Sequence, residues 1–193
     1  MENSEISAMI LAAGKSMRMG RQKMLMPWAN TTVLEKVLLT LRNADIEDLV
    51  LVTNSEIARS ITNFDVPVVI NNDGEMLASL QLGLRAAKPS ARAALICLGD
   101  QPQIEEGSVR SVCEAYQKSR SRLVVPSYQM RRGHPWLVIR ELWEEILGMQ
   151  PGQSMREFLS AHAAEIEYVN LDTATILQDL DTPEDYLKYK PAL

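Results

Sequence analysis

The chain is poor in the residues that carry metal-knuckle or covalent chemistry, with two cysteines and two histidines in 193 residues. Cys97 sits in an apolar run and Cys113 in a helical pattern, with no C-x-x-C spacing, so neither a metal knuckle nor a disulfide framework is suggested, and the two read as ordinary reduced thiols. Basic excess is missing too: 20 Lys and Arg stand against 25 Asp and Glu, a net charge of −5. The electrostatic footprint of a nucleic-acid binder is therefore absent, and any anionic ligand must be met by local charge. No apolar run approaches the roughly 18 residues that span a bilayer, and the opening MENSEIS is acidic and polar, unlike a secretory leader. The expectation is a soluble, cytoplasmic protein with no nucleic-acid or membrane partner. There is no Gly/Ser-rich linker, no low-complexity tract and no internal repeat, so residues 1–193 read as a single domain.

What is present is a regular alternation. At 46% hydrophobic residues the chain can bury a sizeable core. Short apolar, β-branched runs predict strands at Ser7–Ala12, Asp48–Thr53, Pro67–Asn71, Ala93–Leu98, Arg122–Pro126, Pro135–Ile139, Glu167–Leu171 and Ala174–Leu180. Between them, Val33, Leu34, Val37, Leu38 and Leu41 form a helical stripe, with Thr32 and Glu35 placed as a capping box. Met76, Leu77, Leu80, Leu84 and Ala87 form a second stripe, read as core. Further helices are expected at Glu105–Ser119, Glu141–Leu147, Met155–Ala163 and Thr182–Tyr189, the last with Thr182 as N-cap and Pro183 at the first helical position. This is the pattern of an α/β, doubly wound, mostly parallel sheet. Ligands bind such sheets beyond the carboxyl ends of the strands. The residues just past each strand are Gly14-Lys15-Ser16, Thr53-Asn54, Asn71-Asn72-Asp73-Gly74, Gly99-Asp100-Gln101-Pro102, and Asp179 with Asp181.

The Gly14-Lys15-Ser16 tripeptide looks like the end of a P-loop, but Met9 stands where the first P-loop glycine belongs. A dinucleotide-binding fingerprint fails as well, because no G-x-G precedes Gly20. What remains is a strand, a glycine and four cations in a short stretch, Lys15, Arg18, Arg21 and Lys23, in an otherwise acidic chain. Glycine lets backbone approach a ligand, successive N–H groups form an anion nest, and Arg and Lys grip phosphate oxygens. A solvated basic loop has the same composition; the position after the first strand favours polyphosphate binding.

Asp100 follows a buried strand and would face that loop. Its carboxylate suits Mg²⁺, which takes one or two protein carboxylates and fills its other positions with water and phosphate; the spacing fits a turn aspartate equally well. In DLDTPED, Glu184 and Asp185 are explained by a helix start, whereas Asp179 and Asp181, alternating on the expected strand, would point the same way and call for a cation or donor between them. His162 falls on a helix with no expected partner and is given no role. Trp28 and Trp136 read as core or lid packing as readily as a ligand-stacking surface. No Ser, Cys or His stands in a nucleophile–base context.

The stretch LAAGKSMRMGRQK resembles the L-A-x-G-x-S-x-R-M-G-x-x-K signature of the MobA-like nucleotidyltransferases, and in its L-A-A-G form the molybdenum-cofactor cytidylyltransferases. Leu11, Ala12, Gly14, Ser16, Arg18, Met19, Gly20 and Lys23 fill every signature position. EMLASLQLGL, LGDQP, RRGHPWLV and DLDTPEDY follow in the family's order, so the resemblance runs from about residue 6 to 188. It implies the Rossmann-like sheet of the nucleotide-diphospho-sugar transferase type. It further implies CTP or GTP bound by Leu11, Ala12, Ala13, Gly14, Ser16, Arg18, Lys23 and Ser79, with Ala13 leaning toward cytidine and Ser79 beginning a helix that faces the nucleotide. Arg18, Lys23 and Asp100 would be catalytic, Asp100 and Asp181 metal-binding with Mg²⁺ as cofactor, and His134 and Asp179 substrate-binding. The implied acceptor is molybdopterin or the molybdenum cofactor, and the implied partner a molybdoenzyme of the xanthine dehydrogenase type. Two stretches depart from the family. WANTT lacks a glycine, leaving Asn30 as the residue tolerant of a left-handed turn, and PGQSMR lacks the acid of G-D-x-G-x-R near the acceptor side. The alternatives are a nucleotidyltransferase of the same fold using GTP or a sugar or polyol phosphate, and a non-catalytic cofactor carrier.

Overall fold

The computed structural model describes residues 5–191, so the first part of the MENSEIS segment lies outside the described residues. In chain order the elements are β1 (Ile6–Ala12), β2 (Pro27–Trp28), β3 (Thr31–Thr32), α1 (Val33–Asn43), β4 (Asp48–Thr53), α2 (Ser55–Ser60), β5 (Val68–Ile70), α3 (Met76–Ala86), β6 (Ala93–Leu98), α4 (Glu106–Ser119), β7 (Leu123–Tyr128), β8 (Arg131–Arg132), β9 (Trp136–Ile139), α5 (Trp143–Gly148), α6 (Met155–Ala161), β10 (Ile166–Asn170) and α7 (Pro183–Tyr189).

The main sheet runs β10-β7-β9-β6-β1-β4-β5, with the short β8 added to β7. β1 pairs in parallel with both β4 and β6, while β9 is antiparallel to β6 and β7. β1 is buried along its whole length, as a central parallel strand covered on both faces must be. Its side chains alternate between two cores: Ile6, Ala8, Ile10 and Ala12 pack with α1 and α4, and Met9 and Leu11 with α3, α5 and α6. Trp28 and Trp136 are both buried, Trp28 in a small third cluster with Met19, Met26, Val33, Leu180 and Tyr186.

Chain direction then places the site. β1, β4, β5, β6 and β7 all end at one edge, and β9, running the other way, begins there with Gly133 and His134 just before it. From β1 the chain moves to β4 and from β6 to β7, in opposite directions along the sheet, so the strand order reverses between β1 and β6 and a crevice opens at that edge.

Most expected elements are found, and caps explain their ends. The Thr32–Glu35 capping box starts α1, with Glu35 N–H donating to Thr32 Oγ1 at 3.3 Å and Thr32 N–H to Glu35 Oε2 at 2.9 Å. Thr182 and Asp185 do the same for α7, with Pro183 in its first turn. The expected strand Ala174–Leu180 is instead a 3-10 turn over Ala174–Leu177 followed by irregular chain. Thr173 caps that turn, Ile176 buries its side chain, and the Ile176 carbonyl accepts from His134 N–H at 3.0 Å, so no strand ladder forms. Asp179 and Asp181 are therefore not strand neighbours. Met76 is not core: Glu75 caps α3 immediately before it, and the side chain is 54% exposed. The left-handed turn in WANTT falls on Ala29, φ 50°, rather than Asn30. α2 has no counterpart among the expected helices; its signal is Asn54, whose side chain accepts from the N–H of Glu56 and Ile57.

Candidate active site

The loop after β1 is shaped by its own polar groups. Ser16 and Gly20, both left-handed at φ 49° and 66°, bracket a 3-10 turn over Met17–Met19. Ser16 Oγ donates to Gln22 Oε1 at 2.9 Å and accepts from Lys23 N–H at 3.2 Å. The hydroxyl expected to meet nucleotide is thus used to fold the loop. Met19 anchors the turn in the third apolar cluster, which turns Arg18 outward, while Lys23 points into the crevice. Leu11 and Ala12 are buried strand residues whose carbonyls are taken by Gly99 N–H at 3.0 Å and Thr53 Oγ1 at 3.1 Å. That leaves Ala13 and Gly14 as the first loop residues. A Cβ at Gly14 would meet no heavy atom within 4 Å, so nothing in the protein fills the space beside it. Gly74, after β5, comes close to the same loop: at φ 75°, a Cβ there would lie 3.0 Å from the Ala13 carbonyl oxygen.

Across the crevice, the end of β6 is pressed against the end of β1, since a Cβ at Gly99 would come within 2.8 Å of the Ala12 Cβ. This close approach delivers Asp100 to the cations. Lys23 Nζ donates to Asp100 Oδ2 at 2.5 Å and lies 3.5 Å from Asp181 Oδ1, while Arg18 Nη2 donates to the other Asp181 oxygen at 3.0 Å. Lys23 and Asp100 are shielded, with side chains 10% and 17% exposed, and Arg18 and Asp181 are open at 69% and 41%. Asp181 is held there by its neighbours. Leu180 N–H donates to the Asp100 carbonyl at 3.1 Å, and Tyr186 of α7 packs edge-on to Trp28 and donates its hydroxyl to the Pro27 carbonyl at 2.5 Å. Asp179 makes no ion pair with Arg18 or Lys23 within 4 Å but still feels the charges of Asp100, Asp181 and Lys23, and it accepts from Gln101 Nε2 at 2.6 Å. Burial, then the neighbouring Asp100, raises its carboxyl to about 6, with the Gln101 hydrogen bond opposing.

Two carboxylates thus converge on one ammonium, which marks a position a hard cation could take. Among the described residues no group of three His, Cys, Asp or Glu is arranged to hold a metal. A divalent ion between Asp100 and Asp181 would complete its shell from water and phosphate, the habit of Mg²⁺.

On the β9 side, His134 is held through its backbone N–H on the Ile176 carbonyl, and a Cβ at Gly133 would overlap that same oxygen. Burial pushes the His134 imidazole down to about 4, so at neutral pH it carries no charge to offer an anion. Ser79 does not begin α3. It lies in the helix's second turn, buried, donating to the Glu75 carbonyl at 2.8 Å and accepting from Asn71 Nδ2 at 2.8 Å. This buried pair braces the Asn71–Gly74 loop. His162 does have partners: Nδ1 lies 2.7 Å from Glu165 and Nε2 3.0 Å from Glu145, and the two carboxylates raise its pKa. PGQSMR serves to start α6, where Ser154 and Glu157 form a capping box. Both cysteines are free and buried, and burial raises the Cys113 thiol to about 12. Three supporting residues, Gln22, Asn71 and Gln101, had no role in the sequence reading, although the last two lie in the post-strand loops where ligands collect.

No helix among the described residues is long and apolar enough to cross a membrane. Residues 8–166 match the model of the MobA-like NTP transferase domain. The molybdenum cofactor cytidylyltransferase of Escherichia coli K12 is 26% identical over 194 aligned residues, covering 97% of this chain and 96% of the relative. The crystal structure of Rv0371c from Mycobacterium tuberculosis H37Rv superposes with a TM-score of 0.85 at 27% identity, over 95% of this chain and 96% of that one. A manganese complex of the same mycobacterial protein gives 0.83 at 25% identity, over 98% and 100%. Arg18, Met19, Gly20, Lys23 and the aspartate past β6 all fall inside the matched residues, and the chain belongs to the MobA-like NTP transferase family as a nucleotidyltransferase.

Proposed function

We propose that this nucleotidyltransferase moves CMP from CTP to the terminal phosphate of molybdopterin or the molybdenum cofactor, releasing pyrophosphate, with Mg²⁺ as its metal. The observation that carries this reading is the meeting of Arg18, Lys23, Asp100 and Asp181 beneath a glycine loop at the sheet's switch point. The whole-length similarity to a molybdenum cofactor cytidylyltransferase supports the choice of nucleotide and acceptor. The chain works as one catalytic domain, and a cytoplasmic location and delivery of product to a molybdoenzyme of the xanthine dehydrogenase type belong to the same reading.

In the reaction an acceptor phosphate oxygen forms a bond to the α-phosphorus. The bond from that phosphorus to its β-bridging oxygen breaks, and pyrophosphate leaves with the electron pair. Such transfer asks for alignment and charge neutralisation rather than a protein nucleophile. Ala13 and Gly14 line the nucleotide's approach, Arg18 and Lys23 neutralise the triphosphate, and Asp100 with Asp181 holds the metal. When bound, the metal would neutralise the charge that builds on the leaving pyrophosphate. Neutral His134 and the nearby Asp179 face the acceptor side, where an uncharged imidazole can hydrogen-bond a substrate without adding charge.

The test is pyrophosphate release from CTP and from GTP, with and without molybdopterin. Release from CTP that requires molybdopterin supports the proposal. Release with GTP, or with a sugar or polyol phosphate in place of molybdopterin, would reassign the substrates, and no consumption of either nucleotide would indicate a carrier.

A further inference from the structure

The two side chains expected to grip the triphosphate are, in this structure, seated on the two carboxylates expected to grip the metal. Lys23 Nζ lies between Asp100, at 2.5 Å, and Asp181, at 3.5 Å. Arg18 closes on the remaining Asp181 oxygen at 3.0 Å. The four charges cancel, and the shielded Lys23–Asp100 pair is the tighter contact. An ammonium and a divalent cation cannot share this space, because the attraction each feels for the carboxylates becomes repulsion between them.

The loop is built to let the ammonium leave without unfolding. The Lys23 backbone is anchored by Ser16 Oγ, and its neighbours Met24 and Met26 are buried, so the pivot is fixed. The side chain beyond it is a flexible four-carbon stem whose charge can move to a new partner. A triphosphate under Gly14 supplies that partner and leaves Asp100 and Asp181 uncompensated, which is the condition under which they bind a metal most strongly.

Resting on the proposed nucleotide and metal sites, we propose that Lys23 is an internal place-holder that keeps Asp100 and Asp181 closed to a divalent cation until a triphosphate draws its ammonium away. Nucleotide and metal then bind as a coupled pair, and by linkage each strengthens the other equally. Free metal is held weakly by the empty enzyme, and a metal left behind after product release is expelled as Lys23 returns.

The diagnostic is a gain of metal affinity on removing a residue of the phosphate site. Mn²⁺ binding to the full chain, without nucleotide, is read by water proton relaxation, which separates protein-bound ion from free ion. Lys23→Met should bind Mn²⁺ at least about tenfold tighter than wild type, the scale of ordinary site–site coupling. Lys23→Arg, which keeps the charge, should stay near wild type, and Lys23→Met with Asp100→Asn should lose the gain. Circular dichroism melting confirms folding, and Lys23→Gln supplies the same comparison if the methionine variant is unfolded. Equal or weaker Mn²⁺ binding in the folded Lys23→Met or Lys23→Gln protein overturns the place-holder, as does a Lys23→Arg protein that gains affinity. If neither the variants nor wild type loaded with CTP binds Mn²⁺, the metal site itself is wrong, a result distinct from failure of the place-holder alone.

Discussion

Gln101 Nε2 donates to Asp179 Oδ1 at 2.6 Å, and the same amide lies 3.5 Å from the Ile176 carbonyl. One buried side chain thus ties the Asp100 loop to the 174–181 strap, which also receives His134 N–H and sends Leu180 N–H back to the Asp100 carbonyl. The Asp100 side and the His134 side of the crevice are held by the same strap. Gln101→Ala removes the donor of an exposed carboxylate that water can then reach, at a cost of about 0.5–1.5 kcal/mol, the net worth of one hydrogen bond. Thermal melting should show a loss of about 2–4 °C per kcal/mol, and steady-state kinetics a fall in kcat/KM that Gln101→Asn does not fully restore.

Asp100→Asn keeps the shape of the side chain and an acceptor for Lys23 but removes the charge. Turnover should fall by at least about 10²-fold, the weight of several kcal/mol of metal assistance. The melting temperature should change little. Full activity in a pyrophosphate-release assay would remove Asp100 from the metal site.

Gly133→Ala drives a Cβ into the Ile176 carbonyl oxygen, which is backbone and cannot swing aside. The variant should lose about 1–3 kcal/mol of stability, the usual cost of overpacking. Because His134 hangs on that same carbonyl, the Michaelis constant for the acceptor should rise more than that for CTP. Equal changes in both constants would mean that the strap does not position the acceptor side.

His162 sits between Glu165 and Glu145, which raise its pKa above 6.5. A raised pKa means the folded protein binds the proton more tightly than the unfolded chain. The stabilisation is complete below 6.5 and disappears as pH rises through the elevated folded value. Melting temperatures measured from pH 5 to 9 should therefore decline more steeply across that window in wild type than in His162→Gln.

His134 has the opposite sign. Burial lowers it from 6.5 to about 4, so the unfolded chain takes up the proton first and stability is lost as pH falls from 6.5 toward 4. Ring resonances of His134 in an NMR titration should stay those of neutral imidazole from pH 6 to 9. A midpoint near 6.5 would place the ring in contact with water.

Strand and helix assignments follow the local pattern wherever one side of an element is apolar. Val33 to Leu41 could only be a helix with that spacing, and Thr32 and Glu35 mark its start, because capping depends on residues three apart. The same reasoning failed at Ala174–Leu180, where apolar and polar residues alternate but Ile176 spends its carbonyl on His134 instead of a strand partner. It failed in part at His162 as well: Glu145 comes from another helix, whereas Glu165, three residues on, lies within local reach. Met76 shows the limit of a stripe: its period is right, and only the start of α3 at the crevice edge leaves it in solvent.

The candidate site divides along the same line. The loop from Gly14 to Lys23 and the Asp100 turn are legible in the chain, because glycine, cations and a post-strand carboxylate are local features. That Lys23 rests on Asp100, 77 residues away, and reaches Asp181, 158 away, has no local signature. Those meetings depend on the order of strands in the sheet, on the contact of Gly99 with Ala12, and on α7 docking against Trp28. Backbone geometry repeats every few residues and so leaves a pattern in the sequence; the pairing of distant side chains is set by packing of the whole, and only the folded chain decides it.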